Sequence, residues 1–299
     1  MTPDPFDVPK SSVRGKYNMP DQTDRELGIV SNCWKVQLDG GQSLDDLIVL
    51  AVDRGFRSVE LRQGCLGDYE PDVAGAASSA PARERLAGLS QRFPAVRFNL
   101  AVSLPCFGGD FRADDSRFHG ALSAAAALAR DGHPQLRLVD TETLTRDPDE
   151  RAITAAGDVI AAMTRTLVKA GGQLSIEHAY QSWAGFWSAI QSARHQLGES
   201  ARHLRCCFDP CNLLLTEPPE SVPAIVDSVT PEDVSMIHLK QRRDGQIQSD
   251  VAVGDIEWPR LLQSLDRHRH RGPWLFEVAP HAEVWENLRR SVDFMFGIV

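Results

Sequence analysis

Leu174-Ser175-Ile176-Glu177, Cys206-Cys207-Phe208-Asp209, Ser235-Met236-Ile237-His238 and Trp274-Leu275-Phe276-Glu277 decide how this chain is read. Each is a short apolar run ending in one residue able to bind a metal. The gaps between those last residues are 32, 29 and 39 positions, each room for a strand, a helix and two loops. A charged group at the end of an apolar strand is costly unless something pairs with it. Taken singly, each has an ordinary explanation. Asp209 before Pro210 can start a turn, His238 can be a core histidine bonded to backbone, and Glu177 or Glu277 can sit in a buried ion pair. Four in succession, three carboxylates and one imidazole, point instead to side chains converging on one cation.

The rest of the chain repeats the same unit. Residues 1–26 carry four prolines and little periodicity and are expected to form an N-terminal arm. Leu27 to Val30 reads as the first strand. Ser43 caps a helix whose apolar face is Leu44, Leu47, Ile48 and Ala51, and Gly55 stops it. The second strand, from Arg57 to Leu61, delivers Glu60 and Arg62. A loop over 63–80, a helix near 82–91, a strand over 96–102 and a loop over 103–115 follow. Helices are expected at 116–130, 150–170, 182–197, 219–229 and 256–265. Strands are expected at 136–139 and, counting the runs quoted above, through 234–239 and 274–278. Gly171-Gly172 ends the longest helix. The last helix shows an apolar stripe at Val284, Leu288, Val292 and Met295.

Strand and helix thus alternate eight times, which implies a parallel sheet covered by helices. Eight units over 27–299 favour a single closed (β/α)8 barrel with an N-terminal extension. An open doubly wound sheet would carry a Gly-rich phosphate turn after its first strand, where Ser31-Asn32-Cys33-Trp34 stands instead. Barrel active sites lie at the C-terminal ends of the strands. That places Glu60, Arg62, Asp140, Glu177, His178, Asp209, His238, Lys240 and Glu277 on one side. Glu60 with Arg62 also reads as a salt bridge at the mouth, and Asp140 with Glu142 as a solvated loop or helix-cap pair. Trp34 and Trp183 follow strands and are candidate walls of a sugar pocket.

Composition narrows the partners. The chain has 299 residues, 42% hydrophobic and 24% charged, with a net charge of −9. An acidic chain whose one basic run is Arg267-His268-Arg269-His270-Arg271 is a poor start for nucleic acid or an anionic membrane. No apolar run approaches the ~20 residues that span a bilayer. The six cysteines lack zinc-finger spacing and read as reduced thiols, so a cytoplasmic protein is expected.

Six motifs together carry a family resemblance: Gly-Phe-Arg-Ser-Val-Glu-Leu-Arg (55–62), Ser-Ile-Glu177-His178, Phe-Asp209-Pro-Cys-Asn212, Ile-His238-Leu-Lys240, Val-Gly254-Asp-Ile-Glu-Trp258 and Leu-Phe-Glu277-Val. In order and spacing the chain resembles the xylose-isomerase-like TIM-barrel superfamily, and within it the sugar isomerase/epimerase group. The resemblance implies one divalent metal held by Glu177, Asp209, His238 and Glu277. It also implies that Glu177 and Glu277 flank the substrate carbon that loses its proton, and that the protein is a homo-oligomer. The chain departs from the epimerase branch at Asn212, where a histidine often stands, and at Gln241-Arg242-Arg243.

An oxygen-rich set with one imidazole suits Mn2+ first, with Mg2+, Co2+ or Zn2+ as rivals. Such an ion polarises a carbonyl and stabilises an enediolate. The expected activity is therefore isomerisation or epimerisation of a keto-sugar or polyol. The alternative is a lyase of the same site, a keto-sugar or cyclitol dehydratase or a C-glycoside-cleaving enzyme, if a leaving group sits β to the abstracted proton. His178, Lys240, Asn212, Glu60, Arg62 and Arg243 are the candidate substrate-binding residues. A DNA-repair endonuclease on the same barrel would need more strand-end histidines and a basic groove.

Overall fold

A computed structural model describes residues 25–70 and 86–297. Most of the expected arm, residues 71–80 of the loop and the start of the helix near 82 lie outside these residues. Eight parallel strands close a barrel in the order β1, β10, β7, β6, β5, β4, β3, β2. They are β1 (Leu27–Val30), β2 (Ser58–Arg62), β3 (Arg97–Ser103), β4 (Gln135–Val139), β5 (Gln173–Glu177), β6 (Leu204–Phe208), β7 (Val234–Leu239) and β10 (Trp274–Phe276). The (β/α)8 expectation holds, with strand limits within about two residues of those read from the apolar runs.

The helices on the outside are α1 (Lys35–Asp39), α2 (Leu44–Asp53), α3 (Leu89–Arg92), α4 (Ser116–Leu128), α5 (Glu150–Lys169) and α6 (Trp183–Leu197). After them come α7 (Pro210–Leu213), α8 (Val222–Ser228), α9 (Trp258–Arg267) and α10 (Val284–Phe296). Their starts are fixed locally. The Ser43 hydroxyl accepts from Asp46 N–H, and the Asp149 carboxylate from Ala152 N–H, which satisfies amides the first turn leaves open. Leu44, Leu47, Ile48 and Ala51 are buried as the 3.6-residue period requires.

Two apolar layers result. The larger lies between helices and barrel, and includes Trp34, whose ring is 5.9 Å from that of Trp285. Trp34 is fully buried there and walls no pocket, contrary to expectation. The smaller, Val30, Cys207, Met236 and Leu275, lies apart from it. Gly28 is required where β1 meets its neighbours: a Cβ would lie 2.4 Å from Ser58 O and 2.5 Å from Leu275 Cδ2.

One element was not anticipated. β8 (Arg242–Arg243) and β9 (Gln246–Ile247) form a hairpin after β7. Its turn is Asp244-Gly245, both with positive φ, 51° and 76°, the turn that Asp-Gly favours.

Candidate metal centre

Glu177 ends β5 and Asp209, His238 and Glu277 lie at or just beyond the ends of β6, β7 and β10. One ligand atom from each lies within 4.8 Å of the others, and all four residues are buried. Asp209 caps α7: its Oδ1 accepts from Cys211 N–H (2.9 Å) and Asn212 N–H (3.2 Å). The turn explanation for Asp209 is thus true of one oxygen, while Oδ2 is buried without a hydrogen bond. Asn212 Nδ2 donates to Glu177 Oε1 and to His178 O, both at 3.0 Å. Glu177 Oε2 pairs with Arg137 Nη1 at 2.8 Å.

His238 sits between two acidic groups. Its Nδ1 lies 2.9 Å from Glu277 Oε2 and 3.4 Å from Glu177 Oε1, and its Nε2 lies 3.3 Å from Glu60 Oε1. Cys207 Sγ is also 3.3 Å from Nε2. Burial lowers the proton affinity of this ring, but the surrounding Cys207, Glu60, Glu277 and Glu177 raise it well above the ordinary histidine value. Lys240 Nζ reaches into the cluster, 2.6 Å from both Asp209 Oδ2 and Glu277 Oε2 and 3.7 Å from Glu177 Oε1. Burial works against its charge, yet these carboxylates hold it protonated, well above the ordinary lysine range. Burial alone would raise Glu277; Lys240 and His238 pull it well below the usual carboxylate range. Asp209 goes the other way, raised by burial, with Lys240 opposing and Glu177 adding to the rise.

Beneath the cluster lies a charged layer that sequence reasoning did not identify. Arg137, in the middle of β4, is 1% exposed and bridges Glu177 and Glu60. Glu60 also accepts from Asn99 Nδ2 at 2.6 Å. Burial of Glu60 would raise its proton affinity, but Arg137 and His238 hold its carboxyl well below the usual range. Glu60 therefore pairs with Arg137 and not with Arg62, a correction to the mouth salt bridge. Both side chains face one way, two positions apart on β2, and Arg62 Nη1 reaches Glu277 Oε1 at 3.8 Å. The signal for Arg137 was present: a lone arginine inside Gln-Leu-Arg-Leu-Val.

Other candidates are placed elsewhere. The His178 ring packs against Trp183 and Phe186, with Nε2 2.6 Å from Gln181 O; it touches none of the four ligand atoms. Burial lowers its proton affinity to about 4. Arg243 is exposed on the hairpin and donates to Val253 O at 2.7 Å. Asp140 is fully buried and not solvated: it accepts from Phe107, Glu142 and Thr143 N–H and ties two loops together. Trp183 stacks on Trp187 at 5.5 Å within an aromatic cluster. The six cysteines are free thiols, all buried.

The donor set fits a divalent cation on this chain's own evidence. Asp209 Oδ2, His238 Nδ1 and Glu277 Oε2 are buried, and their close partners are one another and Lys240 Nζ. Three carboxylates this close repel one another unless a cation intervenes, and Lys240 Nζ supplies one as an ion contact. Three oxygens and one nitrogen are hard to borderline ligands, the set suited to first-row divalent ions and Mg2+.

No family model and no curated protein matches the chain. Solved structures do. A xylose isomerase domain containing protein from Salmonella typhimurium LT2 superposes with a TM-score of 0.65 at 15% identity, over 90% of this chain and 97% of that one. The IolI protein, solved with a bound zinc atom, gives 0.62 at 13%, over 90% and 95%. An L-ribulose 3-epimerase gives 0.59 at 13%, over 90% and 85%. At such identities the likeness is one of fold: the chain has the xylose isomerase-like TIM-barrel fold. Among the described residues no helix is long and apolar enough to cross a membrane.

Proposed function

We propose that the chain is a divalent-metal-dependent isomerase or epimerase of a keto-sugar or related polyol, acting in the cytoplasm on a small molecule and not on nucleic acid. The observation that carries this reading is the convergence of four buried side chains, Glu177, Asp209, His238 and Glu277, each with a ligand atom within 4.8 Å of the others. Glu177, Asp209, His238 and Glu277 would hold the ion, with Mn2+ as the expected metal. When bound, it would polarise a substrate carbonyl and make the neighbouring C–H more acidic, so that charge passes to the substrate oxygens as an enediolate.

The protein's own groups divide the remaining work. Glu277 and Glu177 are the groups that exchange the proton. They are not equivalent. Both Glu177 oxygens are engaged, one by Asn212 and one by Arg137, which fixes its orientation and weakens it as a base. Glu277 Oε2 is held by Lys240 Nζ at 2.6 Å and His238 Nδ1 at 2.9 Å, contacts that a bound ion and substrate would replace, and this makes it the stronger candidate for the first abstraction. Lys240 donates to substrate oxygens once these replace carboxylates as its partners. Arg62, 41% exposed and 3.8 Å from Glu277, faces the entry and suits a hydroxyl or an acidic group on the substrate. Asn212, where a histidine often stands in the epimerases, holds Glu177 and moves no proton.

The test is metal content by elemental analysis, followed by incubation with keto-sugars in D2O. Near-stoichiometric metal that disappears in His238→Ala, with deuterium incorporated and no loss of product, supports the reading. Elimination in place of exchange would make the protein a lyase of the same site. A protein that takes up no metal and gains no activity with Mn2+ refutes it.

A further inference from the structure

The opposite end of the barrel holds a second feature. A cavity of about 1260 Å3 opens at the N-terminal ends of the strands, its rim running from Glu26 before β1 to Pro273 before β10. The metal centre lies toward the other ends of the same strands. Among the described residues seven arginines line it against three carboxylates, Glu26, Asp131 and Glu232. Arg25 pairs with Asp266, and Arg97 with Glu26 at 3.4 Å. Among the described residues, the other five arginines (57, 130, 205, 269 and 271) have no carboxylate within 4.0 Å. Arg205 Nε is buried with no hydrogen-bond partner, and its Nη1 reaches only Val234 O, at 3.5 Å.

Such a concentration is unexpected in a chain of net charge −9. Arg57 and Arg130 donate to backbone carbonyls, which leaves their charge uncompensated, and guanidinium charges gathered round one concavity without carboxylate partners repel one another and focus their field on it. The volume exceeds the roughly 300–1000 Å3 of an ordinary small-molecule pocket. Guanidinium forks match phosphate oxygens in geometry as well as in charge. We propose that this cavity binds a small, multiply charged phosphate-bearing anion of about nucleotide size, at a site separate from the metal centre. The floor carries Asn99, which donates to Glu60 at 2.6 Å, and Glu60 in turn lies 3.3 Å from His238 Nε2. An anion bound here therefore sits one hydrogen-bonded layer below the metal ligands.

The proposal does not depend on the activity assigned above. It is tested by calorimetric titration of inorganic triphosphate into the full chain and into Glu177→Gln, because triphosphate can also capture a metal ion at the far end. The expected result is saturable binding of one equivalent, unchanged in Glu177→Gln. It should weaken about tenfold or more in the double variant Arg205→Gln/Arg269→Gln. Arg269→Gln/Arg271→Gln changes two exposed side chains and gives the same reading should the first variant fold poorly. Absence of binding, binding lost in Glu177→Gln, or binding that both arginine pairs leave untouched would overturn the proposal.

Discussion

The two ends of the barrel carry opposite charge in opposite ways. At the C-terminal end, Glu177, Asp209 and Glu277 are pressed together with His238 and Lys240, none more than 8% exposed. At the N-terminal end the arginines are spread round an open rim, and most are exposed. The difference follows from solvation. Charge withdrawn from water must find partners at short range or lose its ionisation, so the acidic end is a closed set of contacts in which every atom is accounted for or left for a cation. Charge that stays in water can be left unpaired at little cost, so the basic end keeps a standing field and needs no fixed geometry. Between them lies the buried layer in which Arg137 bridges Glu60 and Glu177.

Breaking the acidic end should give the largest effect. Glu177→Gln is expected to weaken metal binding about 100-fold or more, one ligand's share of the ~10–16 kcal/mol of a four-ligand site. A competition titration with a chromogenic chelator measures it, and unchanged affinity would remove Glu177 from the ligand set. Next in size is the layer between the ends. Arg137→Met leaves Glu60 buried without its pairing cation, which should cost about 3–4 kcal/mol in urea unfolding. Adding Glu60→Gln should recover much of that loss, because the uncompensated charge goes with it. A loss under about 1 kcal/mol would mean that water reaches Glu60 and the layer is not closed. Lys240→Met tests the cation already in the cluster. Metal-free protein should lose about 2–3 kcal/mol as three carboxylates face one another, and saturating Mn2+ should raise the melting temperature more in the variant than in the wild type. Equal rises in the two proteins would show that lysine and metal do not compete for the same oxygens.

How much of this could be read beforehand depended on the same contrast. A charged residue closing an apolar run is anomalous, so the four candidate ligands stood out in the sequence, and the alternation of runs and helices was enough for the barrel. Residues whose role depends on a distant partner did not stand out. Arg137 sits within an apolar strand, but only the closed barrel brings Glu60 and Glu177 to it from 77 and 40 positions away. Asp140 followed by Thr-Glu-Thr reads as a solvated turn, and Phe107 N–H, from another loop, is what buries it. Asp244-Gly245 is a hairpin-turn dipeptide, but the strands flanking it are two residues each, too short to show an alternating pattern. Of the arginines of the basic rim only Arg269 and Arg271 belong to a legible basic run; Arg25, Arg57, Arg97, Arg130 and Arg205 are tens of positions apart, and no local pattern connects them.

The smallest predicted effect probes the field of the basic end. His270 lies just beyond α9, its ring 5.9 Å from that of Trp274 and both ring nitrogens without hydrogen bonds. Burial, and then the charge of Arg205, push its pKa down to about 4 from the usual 6.5. The native protein therefore holds this ring neutral, while the unfolded chain takes up a proton once the pH drops below about 6.5. Between those values the unfolded state binds more protons, so stability rises with pH. The contribution is full above pH 6.5, falls as the solution is acidified, and is gone below about pH 4. Because the residue is partly exposed, we expect His270 to account for about 1–2 kcal/mol of the stability lost between pH 7 and pH 5. Urea midpoints of the wild type and His270→Gln at the two pH values isolate it, since every other titrating group is common to both. Arg205→Gln should then shrink the difference without abolishing it, because burial remains. If Arg205→Gln left the pH dependence of His270 unchanged, the rim would carry arginines without the positive potential that distinguishes it from the carboxylate end.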